Sequence, residues 1–153
     1  MKIPVPLLPR IVRWSAVVAV AGFLFYNSII TVPPETAVDA AFETGQDTFI
    51  PDFIGLDKWR HFLAYGTLAY TVAYAVEHWG RDLKYLAAFV FITVAMFGIG
   101  IEIGQYFIEF RYFDINDIIA NMVGASLVLP WFALRPYLDV RPIGELAAQV
   151  SAD

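Results

Sequence analysis

The chain contains no cysteine and few charged residues. Without cysteine there is neither a disulfide framework nor a thiolate that could act as nucleophile or metal ligand. Charged residues make up 16% of the chain and hydrophobic residues 59%, whereas a soluble domain averages about 25% charged residues. This balance is typical of an integral membrane protein. The net charge of −5, with basic residues scattered among loops, also argues against nucleic acid as a partner.

Four apolar runs approach or reach the roughly 20 helical residues that cross a bilayer core. The first run ends at Pro33-Pro34, because proline cannot continue a helix. A secretory signal peptide is the alternative for this run, but the run exceeds the usual apolar core of about 7 to 15 residues. The sequence therefore predicts an all-α, four-helix transmembrane bundle that forms a single membrane domain over residues 1–153. The predicted spans are 11–32, 60–78, 85–108 and 115–134.

The positions of lysine and arginine predict the orientation, because positively charged loops stay in the cytoplasm. Seven of these residues lie in the two tails and the second loop, against three in the first and third loops. Both termini are therefore expected in the cytoplasm of a multi-pass cell-membrane protein. The first loop, residues 33–56, would lie outside as a partly amphipathic flap. The C-terminal tail is expected to form a surface helix around 143–150 or to remain disordered.

Polar side chains occur near the outer ends of the last three predicted spans, where a charge costs about 2.5 to 3.5 kcal/mol on insertion scales. Asp57, His61 and Tyr65 follow at four-residue steps and so share one helix face. Glu102 and Gln105 share a face of the third span. The face of the fourth span comprises Asp114, Asp117, Asn121 and Gly124. Since all three polar faces lie at one level, we expect them to meet in one cluster.

In these residues the chain resembles the VanZ-like family of small integral membrane proteins. The likeness depends on the order and spacing of several short motifs, and it covers a core of residues 57–129. The resemblance implies a four-helix membrane domain with a polar set near its outer face. It also implies an association with resistance to glycopeptide antibiotics, teicoplanin in particular. The motifs are DK-x-x-HF-x-x-Y from Asp57, E-x-x-Q from Glu102, Arg111, D-x-x-D from Asp114 and N-x-x-G from Asn121.

Three uses of the cluster are open from the sequence. In the first, Lys58, Arg60 and Arg111 bind the phosphate of a lipid or of a lipid-linked envelope precursor. In the second, the carboxylates and His61 bind a hard divalent cation in a membrane-embedded hydrolase or transferase. In the third, the network only locks the helices together. Membrane lipids are the expected partners, no cofactor other than that cation is indicated, and the sequence leaves homo-oligomerisation and enzymatic activity open.

The roles of individual residues follow from their chemistry. If the protein is a catalyst, His61, Glu102 and Asp117 are the residues that would transfer protons. No serine or threonine lies in the cluster as a nucleophile, so water or a substrate hydroxyl would have to attack. Capping is an equal explanation for the carboxylates that begin helices. The candidate ligand-binding residues are Asp57, Lys58, Arg60, Tyr65, Gln105, Arg111, Asp114 and Asn121.

Overall fold

The structure is a computed structural model that describes residues 2–31, 55–109, 111 and 113–150, without the side chains at 56, 57, 147, 149 and 150. The flap predicted in the first loop therefore lies almost wholly outside the described residues. The described chain is mostly helical, with two short strands near its ends. In order the elements are β1 (Ile3–Leu7), α1 (Arg10–Phe25), α2 (Leu56–Val76), α3 (Leu83–Tyr106), α4 (Ile115–Ser126), α5 (Leu129–Leu134), β2 (Leu138–Pro142) and α6 (Ile143–Val150).

Three stretches of the described chain are long and apolar enough to cross a membrane. They are Arg10–Ile30, Leu83–Tyr106 and Ile115–Tyr137, and they coincide with the first, third and fourth predicted spans. The first includes a π-helical turn after α1, and the last joins α4 to α5. The other long helix, α2, has 21 residues but carries more polar side chains, including a Trp-Arg-His sequence near its start.

The two strands pair in parallel, with Ile3 opposite Leu138 and Leu7 opposite Pro142. Because β1 directly precedes α1 and β2 follows α5, the two ends of the described chain lie at one end of the bundle, termed here the strand end. The all-α prediction omitted this small sheet. The helix expected around residues 143–150 is confirmed as α6.

Helix α2 lies at the centre of the bundle and packs against α1, α3 and α4. Glycine permits the closest of these approaches. A Cβ atom added at Gly124 would lie 2.3 Å from the carbonyl oxygen of Phe62, and one at Gly98 would lie 2.8 Å from a ring carbon of Tyr65. Small residues at helix crossings let backbones approach in this way in membrane proteins. The approach brings the polar faces of α2, α3 and α4 together.

Toward the strand end the interior is apolar, and its largest fully buried side chains include four valines of α2, α3 and the turn before α5. Backbone carbonyls bind one buried cation there. Arg13 of α1 is 4% exposed and donates hydrogen bonds of 3.0 Å to the carbonyls of Tyr74 and Ala75 at the end of α2. Glu77 and Arg135 form an ion pair at the same level. These contacts tie α1 and the chain after α5 to the end of α2.

Candidate functional site

Three helices converge at the end of the bundle opposite the strand end. His61 of α2, Glu102 of α3 and Asp117 of α4 each place one metal-ligating atom within 4.8 Å of the other two. Glu102 is completely buried, and the other two are partly buried. The prediction that these side chains meet is therefore confirmed. The polar cluster, as the term is used below, comprises Lys58, His61, Tyr65, Glu102, Asp114, Asp117 and Asn121.

His61 is held by two neighbours on its imidazole ring. Its Nδ1 lies 2.9 Å from the side-chain oxygen of Asn121, and since an amide oxygen only accepts, Nδ1 carries the hydrogen. In the neutral ring this tautomer leaves a lone pair on Nε2, which lies 3.6 Å from Oδ2 of Asp117. Tyr65 stacks beside the imidazole, with ring centroids 6.4 Å apart. The lone pair of Nε2 therefore faces the carboxylates.

Glu102 is a buried carboxylate with only one of its oxygens satisfied. Oε2 accepts a hydrogen bond of 3.3 Å from the backbone N–H of Asp114. Oε1 has no hydrogen-bond partner among the described residues. A buried charge without a partner is strongly unfavourable, so this oxygen favours a proton, a cation or a polar ligand.

Lys58 links two carboxylates of α4. Its Nζ lies 2.7 Å from Oδ2 of Asp114 and 2.5 Å from Oδ1 of Asp117. Asp114 also caps α4, because its Oδ1 accepts the N–H of Asn116 at 2.8 Å. The Lys58 hydrogen bond, followed by that N–H, lowers the pKa of Asp114 below its ordinary value. Asp114 thus combines a capping role with an ion pair.

Several buried polar atoms in the cluster have no partner among the described residues. They are the hydroxyl of Tyr65, Oε1 of Glu102 and Nδ2 of Asn121. All three residues are at least 95% buried. Buried polar atoms in folded proteins usually have a partner, so these donors and this acceptor are available to a bound ligand or to water.

Gln105 and Arg111 lie outside the polar cluster and contact the π-helical turn Tyr26–Ile30 that continues α1 and the residue after it. The Nε2 of Gln105 donates to the carbonyl of Ser28 at 3.1 Å. Arg111 donates to the carbonyls of Asn27 and Thr31 at 2.9 and 2.6 Å. The last carbonyls of a helix lack intrahelical partners, and cations stabilise that end. Burial lowers the pKa of Arg111, and the negative charge of Glu102 opposes that shift.

The ligand-binding roles predicted for Gln105 and Arg111 stay predictions, since the observed contacts brace α1. Sequence reasoning missed this bracing, because its acceptors are backbone carbonyls and leave no signature in residue type. Arg60 is exposed at the start of α2 and forms no ion pair with a described residue. The side chain of Asp57 lies outside the described residues.

The cluster carries an excess of negative charge. The described cluster has three carboxylates, those of Glu102, Asp114 and Asp117, against the single cation of Lys58, so the ionised set carries two negative charges when His61 is neutral. Arg111 lies outside the cluster, although its charge interacts with Glu102. A bound divalent cation would balance this excess.

Comparison with protein families identifies the chain's relatives. A family model described as VanZ/LLP1 matches residues 12–134, which include most of α1 and all three helices of the cluster. This range is wider than the core of 57–129 expected from the motifs. No match was found among curated proteins or among solved structures.

Proposed function

The chain belongs to the VanZ/LLP1 family, and we propose that it is a four-span protein of the cell membrane with a site for a lipid head group. Three apolar helices support the membrane location. The fourth span is α2, which is long enough to cross although it is more polar. The pairing of β1 with β2 supports an even number of crossings, because an odd number would put the strands on opposite sides of the bilayer.

The strand end faces the cytoplasm and the polar cluster faces outward. The basic residues support this orientation, because seven of the ten lie in the tails and in the loop between α2 and α3. The cluster is then at the outer surface, where it can be reached by lipids of the outer leaflet or by lipid-linked precursors of the cell envelope.

The ligand is an anionic lipid or a lipid-linked envelope precursor. The observation that carries this proposal is the group of buried cluster atoms without partners among the described residues. This group offers donors from Tyr65 and Asn121 and an acceptor from Glu102. Arg60 lies exposed at the same end of α2 and suits bidentate contact with a phosphate. Arg60 provides the main positive charge for the phosphate, because Lys58 and Arg111 already bind groups of the protein.

The resemblance to VanZ-like proteins extends the proposal to cell physiology. We propose that lipid binding at this site supports tolerance to glycopeptide antibiotics or to envelope stress. Cells that lack the protein should then show increased sensitivity to teicoplanin, and reintroduction of the wild-type chain should restore tolerance where Arg60→Ala does not.

Native mass spectrometry of the gently extracted protein tests lipid binding. We expect wild-type protein to retain a phosphorylated lipid and Arg60→Ala to lose most of it. Arg81→Ala is the matched control, since Arg81 is an exposed arginine at the strand end. Tyr65→Phe removes only the unpaired hydroxyl and should weaken retention about fivefold, the effect of one hydrogen bond. Absence of phosphorylated lipid from the wild type, or equal loss in both arginine variants, would contradict the proposal.

A second candidate function is metal-dependent hydrolysis or transfer on a lipid phosphate. It is favoured by the convergence of one imidazole with two carboxylates, the chemistry that binds a divalent cation and activates water. Purified protein would then release phosphate from lipid phosphates in the presence of a divalent cation, and Asp117→Asn would abolish the release. No release from any such lipid would leave binding alone as the function.

A further inference from the structure

We propose that the cluster binds one divalent metal ion through Nε2 of His61, Oε1 of Glu102 and Oδ2 of Asp117. These side chains come from α2, α3 and α4, so an ion held by all three would also fasten the helices at this end of the bundle. The proposal of this metal site rests on the geometry of the cluster alone and is independent of the lipid function.

The spacing of the ligand atoms fits a hard cation. Two ligands of a calcium ion at about 2.3–2.6 Å from the metal lie at most about 5 Å apart, and two ligands of magnesium at most about 4 Å. The three side chains place their atoms within 4.8 Å, and the imidazole Nε2 is 3.6 Å from the carboxylate of Asp117. This spacing suits a calcium-sized ion better than a smaller one, which needs a larger inward movement of the side chains. Waters or the ligand would complete the coordination.

Each proposed ligand is already oriented by a neighbour through the atom that does not face the metal. Asn121 accepts from Nδ1 of His61, and Lys58 binds Oδ1 of Asp117. The backbone N–H of Asp114 binds Oε2 of Glu102. Such outer contacts fix the direction of metal ligands in natural sites. Nε2 of His61, Oδ2 of Asp117 and Oε1 of Glu102 are not used by these contacts, and we assign them as the metal ligands.

The unpaired oxygen of Glu102 is the independent indication of a ligand. The side chain is 0% exposed, and Oε1 has no hydrogen-bond partner among the described residues. A divalent metal ion would satisfy this oxygen and neutralise the acidic excess of the cluster. It thereby resolves a conflict in the lipid proposal, because an acidic site repels a phosphate unless a cation bridges the two. This bridging role rests on the proposed lipid function.

Titration with manganese tests the site. The full chain is placed in nanodiscs of zwitterionic lipid, stripped with a chelator and titrated with Mn²⁺, and free Mn²⁺ is measured by electron paramagnetic resonance. Manganese is the probe because it accepts carboxylates and imidazole. We expect one ion per chain. Glu102→Gln and Asp117→Asn should each weaken binding at least tenfold, and Asn121→Ala, which removes an orienting contact, about 10- to 100-fold.

Glu109→Gln is the matched control. Glu109 is an exposed carboxylate just beyond α3, and its replacement should leave the Mn²⁺ affinity unchanged. Circular dichroism and size-exclusion chromatography establish whether each variant is folded. If Glu102→Gln does not fold, the Mn²⁺ affinity of Asp117→Asn tests the site, because Asp117 is partly exposed. The site is refuted if wild-type protein binds none of Mn²⁺, Mg²⁺, Ca²⁺ and Zn²⁺ saturably, or if the folded cluster variants bind as the wild type does.

Lipid retention with and without chelator separates the two proposals. If the protein retains lipid only when the ion is bound, the ion bridges the cluster and the lipid phosphate. Retention of lipid by chelated protein refutes bridging while leaving the lipid site intact. Saturable metal binding without any retained lipid supports the metal site and contradicts only the proposed lipid function.

Discussion

Replacement of Gly124 by alanine should separate the two helices that carry most of the cluster. The added Cβ would lie 2.3 Å from the carbonyl oxygen of Phe62. Carbon and carbonyl oxygen normally approach to about 3.3–3.6 Å, so α2 and α4 would have to part by about 1 Å. Overpacking of this kind costs about 1–3 kcal/mol, against which alanine gains about 0.5–1 kcal/mol over glycine in a helix. With the middle of each range, about 2 against about 0.75 kcal/mol, the net loss should be about 1 kcal/mol.

Thermal unfolding in one detergent measures this loss. A chain of this size loses about 2–4 °C of melting temperature per kcal/mol, so Gly124→Ala should melt about 2–4 °C below the wild type. It should also weaken Mn²⁺ binding, because His61 and Asp117 lie on the separated helices. Gly100→Ala is the control, since a Cβ at Gly100 meets nothing within 4 Å. A Gly124→Ala variant as stable as the wild type, or an equal loss in Gly100→Ala, would refute the packing argument.

Two further predictions concern contacts at the cluster end. Arg111→Ala removes two hydrogen bonds to the end of α1 and should lower stability by about 1.5–3 kcal/mol, with partial recovery in Arg111→Lys; an unchanged melting temperature would exclude the bracing role. The pKa of Asp114 is lowered by Lys58 from an ordinary value of about 3.9, so its stabilising contribution is present above about pH 4 and lost as pH falls through the folded value. Melting temperatures from pH 7 to 3 should therefore fall less in Asp114→Asn than in the wild type, and parallel curves would contradict this assignment.

The helices could be predicted from the sequence because a bilayer requires apolar runs of a fixed length. The boundaries agree to within a few residues for the third and fourth spans, except that a turn at Leu127-Val128, just before Pro130, divides the last one. The strand pair could not be predicted. Its strands contain Pro4, Pro6 and Pro142, which lack the N–H that strand pairing uses, and its partners lie about 130 residues apart.

Helical periodicity was sufficient to predict the centre of the candidate site. Residues three or four apart share a face, so His61, Glu102 and Asp117 could be placed at one level before their contacts were known. Periodicity does not determine which cation pairs with which carboxylate. The spacing of residues therefore contains no signal for the ion pairs of Lys58 with Asp114 and Asp117. It also contains none for the hydrogen bond of Arg111 to the chain at the end of α1.

The convergence of the polar faces can be measured with introduced thiols, because the chain has no cysteine of its own. We predict that a short bifunctional thiol reagent bridges the pair introduced by His61→Cys and Glu102→Cys within one chain, seen as a single linker in the intact mass. The control pair, Leu63→Cys with Ile103→Cys, uses the same two helices at positions that are 58% and 50% exposed. It should instead carry two separate reagents. A bridge in the control and none in the cluster pair would contradict the account.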